Sequence, residues 1–559
     1  LRRFGAVLSR RALAVLALSA AALALCANLA FDATVDLRPV MPEADGVHPV
    51  RAVEALATAY APGGGFRDKY PPLGSVLFGL AVVAVDPAFA ADTRGLTSRP
   101  EGERRAALWD LRDRIAPALA AERWLSRAAA CACAAVLALL AAATARRAGA
   151  DARAAWLAGL LAAAALGLSY PFLYHGSTTN VDAFALLAGL LALHAACGRR
   201  WIAAAVGAAV ATAIKDPCFV LGPLVIGGAL LDGSAPGERG RAVRRAAVAA
   251  VAGLLAYALL AGALTAPGAW REHVAYLSRG GVSSVDRIDH GQPGQWLGLL
   301  WRCLDLAAGA IGWTGVALGA AGLLRLRSAD RAGFRMLAGV IVLTLLLFVL
   351  PIGFVYTRFL LLPLAALLVG AALVLASLVV RAAGRAGGAS PGRRAPAAAA
   401  LVLVTLAALL VDRRVADWQR VTAASPDARR LAADALPGLL PEGSRLALFA
   451  DEREHAVPLD VRRWPMQVYG LLEAEARLGA WVSGAAPDPP DALLWMSFPV
   501  DRTSGRPQEP FVPPRVGDKV GGLYEVAAVW GAPTGAVPER ALAVRPMVTL
   551  LRRVASGGR

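Results

Sequence analysis

From Ala12 to Val411 the chain consists of apolar blocks of about 14 to 23 residues separated by short polar connections, and no other feature restricts its fold as tightly. About 20 apolar residues in a helix match the ~30 Å hydrocarbon core of a bilayer. Lipid leaves peptide groups unsatisfied, so blocks of this kind must be helical, and the first three quarters of the chain read as an α-helical polytopic membrane protein. Composition agrees: 57% of residues are apolar and only 18% charged, against roughly 25% charged in soluble domains. Disordered, fibrous and purely cytosolic classes are excluded.

The formal charge is +17, from 58 basic and 41 acidic residues. A nucleic-acid binder would concentrate that excess on a hydrophilic face, whereas here much of it lies between apolar blocks, so no nucleic-acid partner is expected. Only Lys69, Lys215 and Lys519 are lysines, which makes each a candidate for a site needing a compact ammonium. The six Cys have neither zinc-site nor disulfide-framework spacing and read as small core residues. Leu1–Arg11 carries four Arg before the first block and reads as the inner flank of an uncleaved signal anchor.

Candidate spans are 12–31, 124–145, 154–174, 181–197, 201–214, 217–231, 246–265, 304–324, 336–354, 358–380 and 396–411, with 71–90 as a twelfth apolar segment. The Arg-rich connections at 146–153, 199–200, 239–245, 325–335 and 381–394 all face the cytoplasm by the positive-inside rule. That holds if 201–231 is a tight hairpin turning at Lys215-Asp216-Pro217 on the outer side, and if 71–90 lies in the interface instead of crossing. Pro71-Pro72 and Asp86-Pro87 favour the interfacial placement. About eleven spans result, with the N-terminus inside and the first loop 32–123 outside, although 91–123 carries seven Arg against the rule. The expected division is 1–411 as a transmembrane catalytic domain and 412–559 as a small extracytoplasmic α/β domain, with short apolar runs at Arg445–Ala450, Ala492–Met496 and Tyr524–Trp530.

Ionisable groups beside spans are costly, and here they gather on the outer side. The first loop has Glu43, Asp45 and His48, then Lys69 and Tyr70 before Pro71-Pro72-Leu73. A carboxylate near basic residues at a membrane surface suits a general base beside an anionic headgroup, although an Asp before an apolar run is more often a helix cap. The second group is Pro171 through Asp182, with His175; Asp182 is as readily a cap as a functional carboxylate. Lys215 forms the third, free to snorkel, to pair with Asp216, or to hold a phosphate at a broken helix. Tyr356-Thr357-Arg358 is the fourth, with an Arg on the side where Arg is scarce. The 270–296 loop adds His273, Asp286, Asp289 and His290, which would bind sugar, complete a metal site, or simply be solvated.

In their order and common side these four stations resemble the GT-C superfamily of polyprenyl-phosphate-sugar glycosyltransferases, which includes protein O-mannosyltransferases and the aminoarabinose transferases of lipid A. The resemblance covers about residues 10 to 380. Asp45 matches the family's acidic motif, Lys69-Tyr70-Pro71-Pro72-Leu73 its basic residue and following helix, and Pro171 through Asp182 its second outer loop. Gly207 through Lys215 is similar to a Gly-rich short span ending in Lys, and Arg358-Phe359-Leu360-Leu361-Leu362-Pro363 to a late Arg motif.

The resemblance implies a GT-C-like bundle of about eleven spans with an interfacial helix in the first loop. It implies transfer of a sugar from a polyprenyl-monophosphate donor to a hydroxyl of a glycan, lipid or protein acceptor, on the outer face of the inner membrane and with inversion. Asp45, with Glu43 as the other carboxylate of its motif, would be the base, and Asp182 would orient the acceptor or support a neighbouring cation. Lys69, Lys215 and Arg358 would meet the donor phosphate, and Tyr70, His48, His175 and Tyr356 complete the substrate-binding set. No metal ligands are assigned, and a divalent metal is the one cofactor left open. The rival readings are a transporter or lipid flippase and a non-catalytic envelope-assembly subunit. Against transport stand the absence of duplicated halves and the gathering of candidates on one face.

Overall fold

The structure, a computed structural model, describes residues 10–34, 47–61, 71–232, 238–278, 288, 292–385, 428–450, 457, 459–486, 488–497, 523–531 and 547–554. It divides into two units: Leu1–Phe31, Ala55–Leu77 and Arg123–Ala416 in one, Asp32–Glu54, Phe78–Glu122 and Asp417–Arg559 in the other.

In chain order the helices are α1 (Arg10–Thr34), α2 (Pro49–Thr58), α3 (Pro72–Val85), α4 (Pro87–Asp92), α5 (Glu101–Asp110), α6 (Arg112–Arg147), α7 (Ala152–Gly167), α8 (Tyr170–Ser177) and α9 (Asp182–Cys197). Then follow α10 (Trp201–Ile214), α11 (Leu221–Leu231), α12 (Arg239–Leu260), α13 (Pro267–Ser278), α14 (Pro293–Ala329), α15 (Arg331–Leu343), α16 (Leu350–Ile352) and α17 (Leu361–Arg385). Among the described residues six helices are long and apolar enough to cross a membrane, or seven if α7 and α8, bent by 70°, form one span. Four shorter apolar helices (Pro72–Val85, Asp182–Cys197, Trp201–Ile214 and Asp216–Leu231) complete the set, and the expected span 396–411 lies outside the described residues.

Lipid and core sort the helices of the first unit. The apolar window of α17 is 83% buried and that of α12 only 11%, so α17 is the enclosed helix and α12 a peripheral one facing lipid. Small residues let backbones touch, as expected where apolar burial alone does not discriminate helix from lipid. A Cβ on Gly322 of α14 would fall 1.9 Å from the Gly370 carbonyl oxygen of α17, and one on Gly207 of α10 would fall 3.2 Å from Ala192 of α9. At the Arg-rich end some of the charges are paired: Arg147 bridges Asp330 at 2.8 Å, while Arg199 and Arg245 meet Asp232 at 3.0 and 3.4 Å.

Within the second unit, α2 buries Val50 and Val53 against Val82, Phe89, Leu96, Ile115 and Leu119. The apolar segment 71–90 is two helices, because the Asp86 carboxylate accepts the Phe89 N–H at 2.8 Å and starts α4 with Pro87 in its first turn. Arg114 grips Asp86 at 2.7 Å and Asp92 at 2.6 Å, and Arg112 stacks over Trp109. Several of the seven Arg that resist the positive-inside pattern are thus consumed by local partners. The guanidinium of Arg114, and then the Phe89 N–H, hold the Asp86 carboxyl below the usual carboxylate range.

The tail forms a five-stranded sheet from β1 (Leu446–Ala450), β2 (Met466–Gly470), β3 (Ala492–Ser497), β4 (Tyr524–Trp530) and β5 (Met547–Arg553), ordered β2-β1-β3-β5-β4. The first three strands are parallel, and β5 and β4 continue antiparallel. Helices α18 (Ala428–Leu439) and α19 (Leu471–Val482) accompany it. Separate cores lie on its two faces: Leu436, Leu448, Trp464 and Leu550 in one, Phe449, Trp481, Trp495 and Tyr524 in the other. The tail thus has the α/β character expected of it.

Candidate active site

Four chain breaks meet at one end of the helical unit. The first is the polar turn between α8 and α9, where Ser177, Thr178, Thr179, Asn180 and Asp182 are all buried. Burying so many polar groups is unfavourable without partners, and the turn supplies only some of them: Thr178 Oγ1 and Asp182 Oδ2 make no hydrogen bond among the described residues. The Ser177 hydroxyl donates to Asn28 Oδ1 of α1 at 3.1 Å, and the Asn180 side chain accepts the Asp182 N–H at 3.2 Å. Gly176 permits this seat, since a Cβ there would lie 2.7 Å from Asn28 Oδ1.

Asp182 is the first residue of α9, where the helix dipole favours a carboxylate. Capping does not account for it, because α9 has no side-chain cap hydrogen bond. Its carboxylate instead accepts from the Lys215 ammonium through Oδ1, while Oδ2 lies 3.6 Å from His175 Nδ1. The side chains of Asp182 and Lys215 are 2% and 4% exposed, so the two charges meet out of solvent.

Lys215 ends α10 in extended conformation, just before the 3₁₀ turn Asp216–Val220. It neither snorkels nor bridges Asp216. Asp216 is engaged by His273 of α13 at 3.0 Å, which frees Lys215 to face Asp182. Arg358, in the 3₁₀ turn Thr357–Leu360, acts on the same carboxylate at longer range. Its guanidinium packs over the rings of Tyr356 and Phe359 at 5.1 and 5.6 Å. Those rings join Phe354, Phe348 and Phe219 in a continuous aromatic cluster.

The start of α3 belongs to the same end. A Cβ on Gly74 would fall 2.5 Å from Val181 and 3.5 Å from Ile214, the residues directly before Asp182 and Lys215. Lys69 and Tyr70, which precede α3 in the sequence, lie outside the described residues, as do Glu43 and Asp45. His48, in the other unit, is buried and accepts the Val50 N–H at 3.2 Å through Nδ1, at the start of α2.

Of the sequence candidates, Asp182, His175, Lys215 and Arg358 thus come together, with Tyr356 against Arg358. Asn28 was not among them; a lone Asn in an otherwise apolar first span is its only sequence signal. His273 was named only within a polar loop, and Asp286, Asp289 and His290 of that loop lie outside the described residues. Among the described residues no group of three or more His, Cys, Asp or Glu is placed to hold a metal ion. Chemically, among the described residues one buried carboxylate faces two permanent cations, a charge arrangement suited to an anionic ligand.

No protein-family model matches the sequence, and no curated protein does. Among solved structures the chain is similar to ArnT from Cupriavidus metallidurans bound to undecaprenyl phosphate, at 14% identity and TM-score 0.50, covering 97% of this chain and 99% of that one. Lower scores are given by the same protein in the apo state (14% identity, TM-score 0.46, 95% and 97% covered) and by the oligosaccharyltransferase AglB from Archaeoglobus fulgidus (13%, 0.45, 86% and 69%). At such identity the likeness to ArnT is one of fold: this chain is a multi-pass membrane protein with the GT-C fold.

Proposed function

We propose that the protein is a membrane glycosyltransferase that moves a sugar from a polyprenyl-monophosphate donor to a hydroxyl of a glycan, lipid or protein acceptor, with inversion. The observation that carries this reading is the buried Asp182–Lys215 pair with His175 and Arg358 at one end of a GT-C bundle. The ArnT structure of the same fold is bound to undecaprenyl phosphate, an anion of the class this cluster suits. The reaction end faces away from the cytoplasm of the inner membrane, because the Arg-rich connections lie at the other end of the helices; the N-terminus is then inside.

In this reading Lys69, Lys215 and Arg358 contact the donor phosphate. The acceptor oxygen attacks the anomeric carbon as the bond from that carbon to the phosphate oxygen breaks, and the electron pair leaves on the phosphate. Charge grows there in the transition state, so fixed cations stabilise it more than the ground state. Asp45 takes the acceptor proton, with Glu43 beside it in sequence. Asp182 acts through Lys215, holding the ammonium extended toward the ligand, and is a positioning residue. Tyr70, His48, His175 and Tyr356 belong to the substrate-binding surface. Residues 1–411 supply the catalytic domain, and 412–559 form a soluble extracytoplasmic domain.

The test is transfer by the purified protein in lipid, with the anomeric configuration of the product determined by NMR and the Asp45→Asn variant alongside. An inverted linkage made by the wild type and abolished in the folded variant is expected. A retained configuration, or turnover by Asp45→Asn, would overturn the single-displacement mechanism with Asp45 as base.

A further inference from the structure

The helix that follows the Arg358 turn, α17, has a second polar feature at its far end. Arg381 of α17 lies 23 residues after Arg358, which sits in the turn that leads into that helix; this is about 34 Å at helical rise, close to the thickness of a hydrocarbon core. There a cavity of about 190 Å³ opens between the α6–α7 turn and the last turns of α14 and α17. It is too small for a drug-sized ligand, whose pockets begin at about 300 Å³. Its lining includes Gly149, Asp151, Gly322, Arg325, Ser377 and Arg381.

Gly322, where the α14 and α17 backbones touch, is part of the cavity lining. Around it, charges are largely spoken for. Arg147 is bound to Asp330, Arg146 donates to the Ala150 carbonyl at 2.9 Å, and the Asp151 carboxylate accepts the Ala154 N–H at 2.7 Å. The two lining arginines differ. Arg325 donates one Nη1 hydrogen bond to the Ser377 hydroxyl at 2.9 Å, and among the described residues neither it nor Arg381 is paired with a carboxylate. Two exposed arginines and a hydroxyl lining one small cavity match a phosphate, which accepts forked hydrogen bonds from Arg. The cytoplasmic leaflet supplies anionic phospholipid at that level.

We propose that this cavity is a binding site for the phosphate headgroup of an anionic phospholipid, held by Arg325 and Arg381 at the membrane face opposite the candidate active site. It is independent of the proposed reaction, and its test needs no donor or acceptor.

The test titrates the purified full chain in detergent with short-chain phosphatidylglycerol, short-chain phosphatidylcholine and inorganic phosphate, reading the melting temperature, with bound lipid counted by native mass spectrometry. Saturable stabilisation by phosphatidylglycerol, absent with phosphatidylcholine, is expected. Arg325→Gln and Arg381→Gln should each weaken it by about tenfold, whereas Arg327→Gln, one exposed Arg outside the lining, should not. Equal binding by the double Gln variant with an unchanged melting temperature of its own would overturn the site. Should the double variant misfold, Arg325→Lys with Arg381→Lys replaces it, and unaltered binding there would contradict recognition by guanidinium forks. Inorganic phosphate binding as tightly as the lipid would overturn the lipid assignment in favour of a soluble phosphate.

Discussion

The Asp182–Lys215 pair allows a prediction with a sign and a size. Removing one partner of a buried ion pair costs about 3–5 kcal/mol, since the other charge stays behind in low dielectric, whereas removing both is nearly neutral. No discount for solvent applies at 2% and 4% side-chain exposure. The two single variants should differ. Lys215→Met leaves a carboxylate that still has His175 at 3.6 Å and the more distant Arg358, so its loss should sit near the lower figure. Asp182→Asn removes the carboxylate that the buried Lys215 ammonium meets and should approach the upper one. At roughly 1–2 °C per kcal/mol for a unit of this size, each single variant should melt on the order of 5 °C below wild type. The double variant should recover most of that difference. The assay is tryptophan fluorescence melting in detergent at one fixed scan rate, because unfolding of such a chain is a rate as much as an equilibrium. Singles within 1 °C of wild type, or a double variant that falls by the sum of the two, would refute the reasoning.

Three further outcomes follow from particular contacts. Gly74→Ala places a methyl 2.5 Å from the stiff Val181 side chain, so it should lower both melting temperature and activity, and Val181→Ala should restore them; failure of that rescue would separate α3 from the site. Arg358→Lys keeps the charge but loses the planar stack on Tyr356 and Phe359, and should raise the donor KM by about tenfold with kcat little changed. Asp86 has a folded pKa below its unfolded value of about 3.9, so its contribution is complete above that value and is lost as pH falls through the lower folded one. Acid titration should therefore show a shallower loss of stability below about pH 4 in Asp86→Asn than in wild type; superimposable curves would count against the Arg114 bridge.

Much of the fold is legible because lipid imposes it. A window of apolar residues reports the length in contact with hydrocarbon, and so 12–31, 181–197 and 201–214 coincide closely with α1, α9 and α10. The same window cannot report helix beyond the lipid. Block 124–145 therefore covers only part of α6, whose Arg112–Arg123 portion carries charges along its length. Nor does it detect the break at Gly312 inside α14, where φ is 74°, or the π turn Thr344–Val349. Both interrupt hydrogen bonding without altering hydropathy. In the tail, the apolar runs at 445–450, 492–496 and 524–530 are β1, β3 and β4, but strand order depends on pairing across long separations that composition does not encode.

At the site, charges at helix breaks were visible as such, because an ionisable group beside a span needs a reason. Which charge meets which was not. Lys215 sits next to Asp216 in sequence, yet it pairs with Asp182, 33 residues away, since the chain turns extended at Lys215 and His273 takes Asp216. Asn28 escaped notice because its partner, Ser177, is 149 residues distant and neither is charged.

The most direct test of the central claim is release of polyprenyl phosphate by the purified protein in lipid, offered polyprenyl-phosphate sugars and an envelope acceptor fraction. Release that depends on acceptor and disappears in Lys215→Met and Asp45→Asn is the predicted result. No release from any donor by folded wild-type protein in the presence of acceptor would contradict the assignment as a transferase.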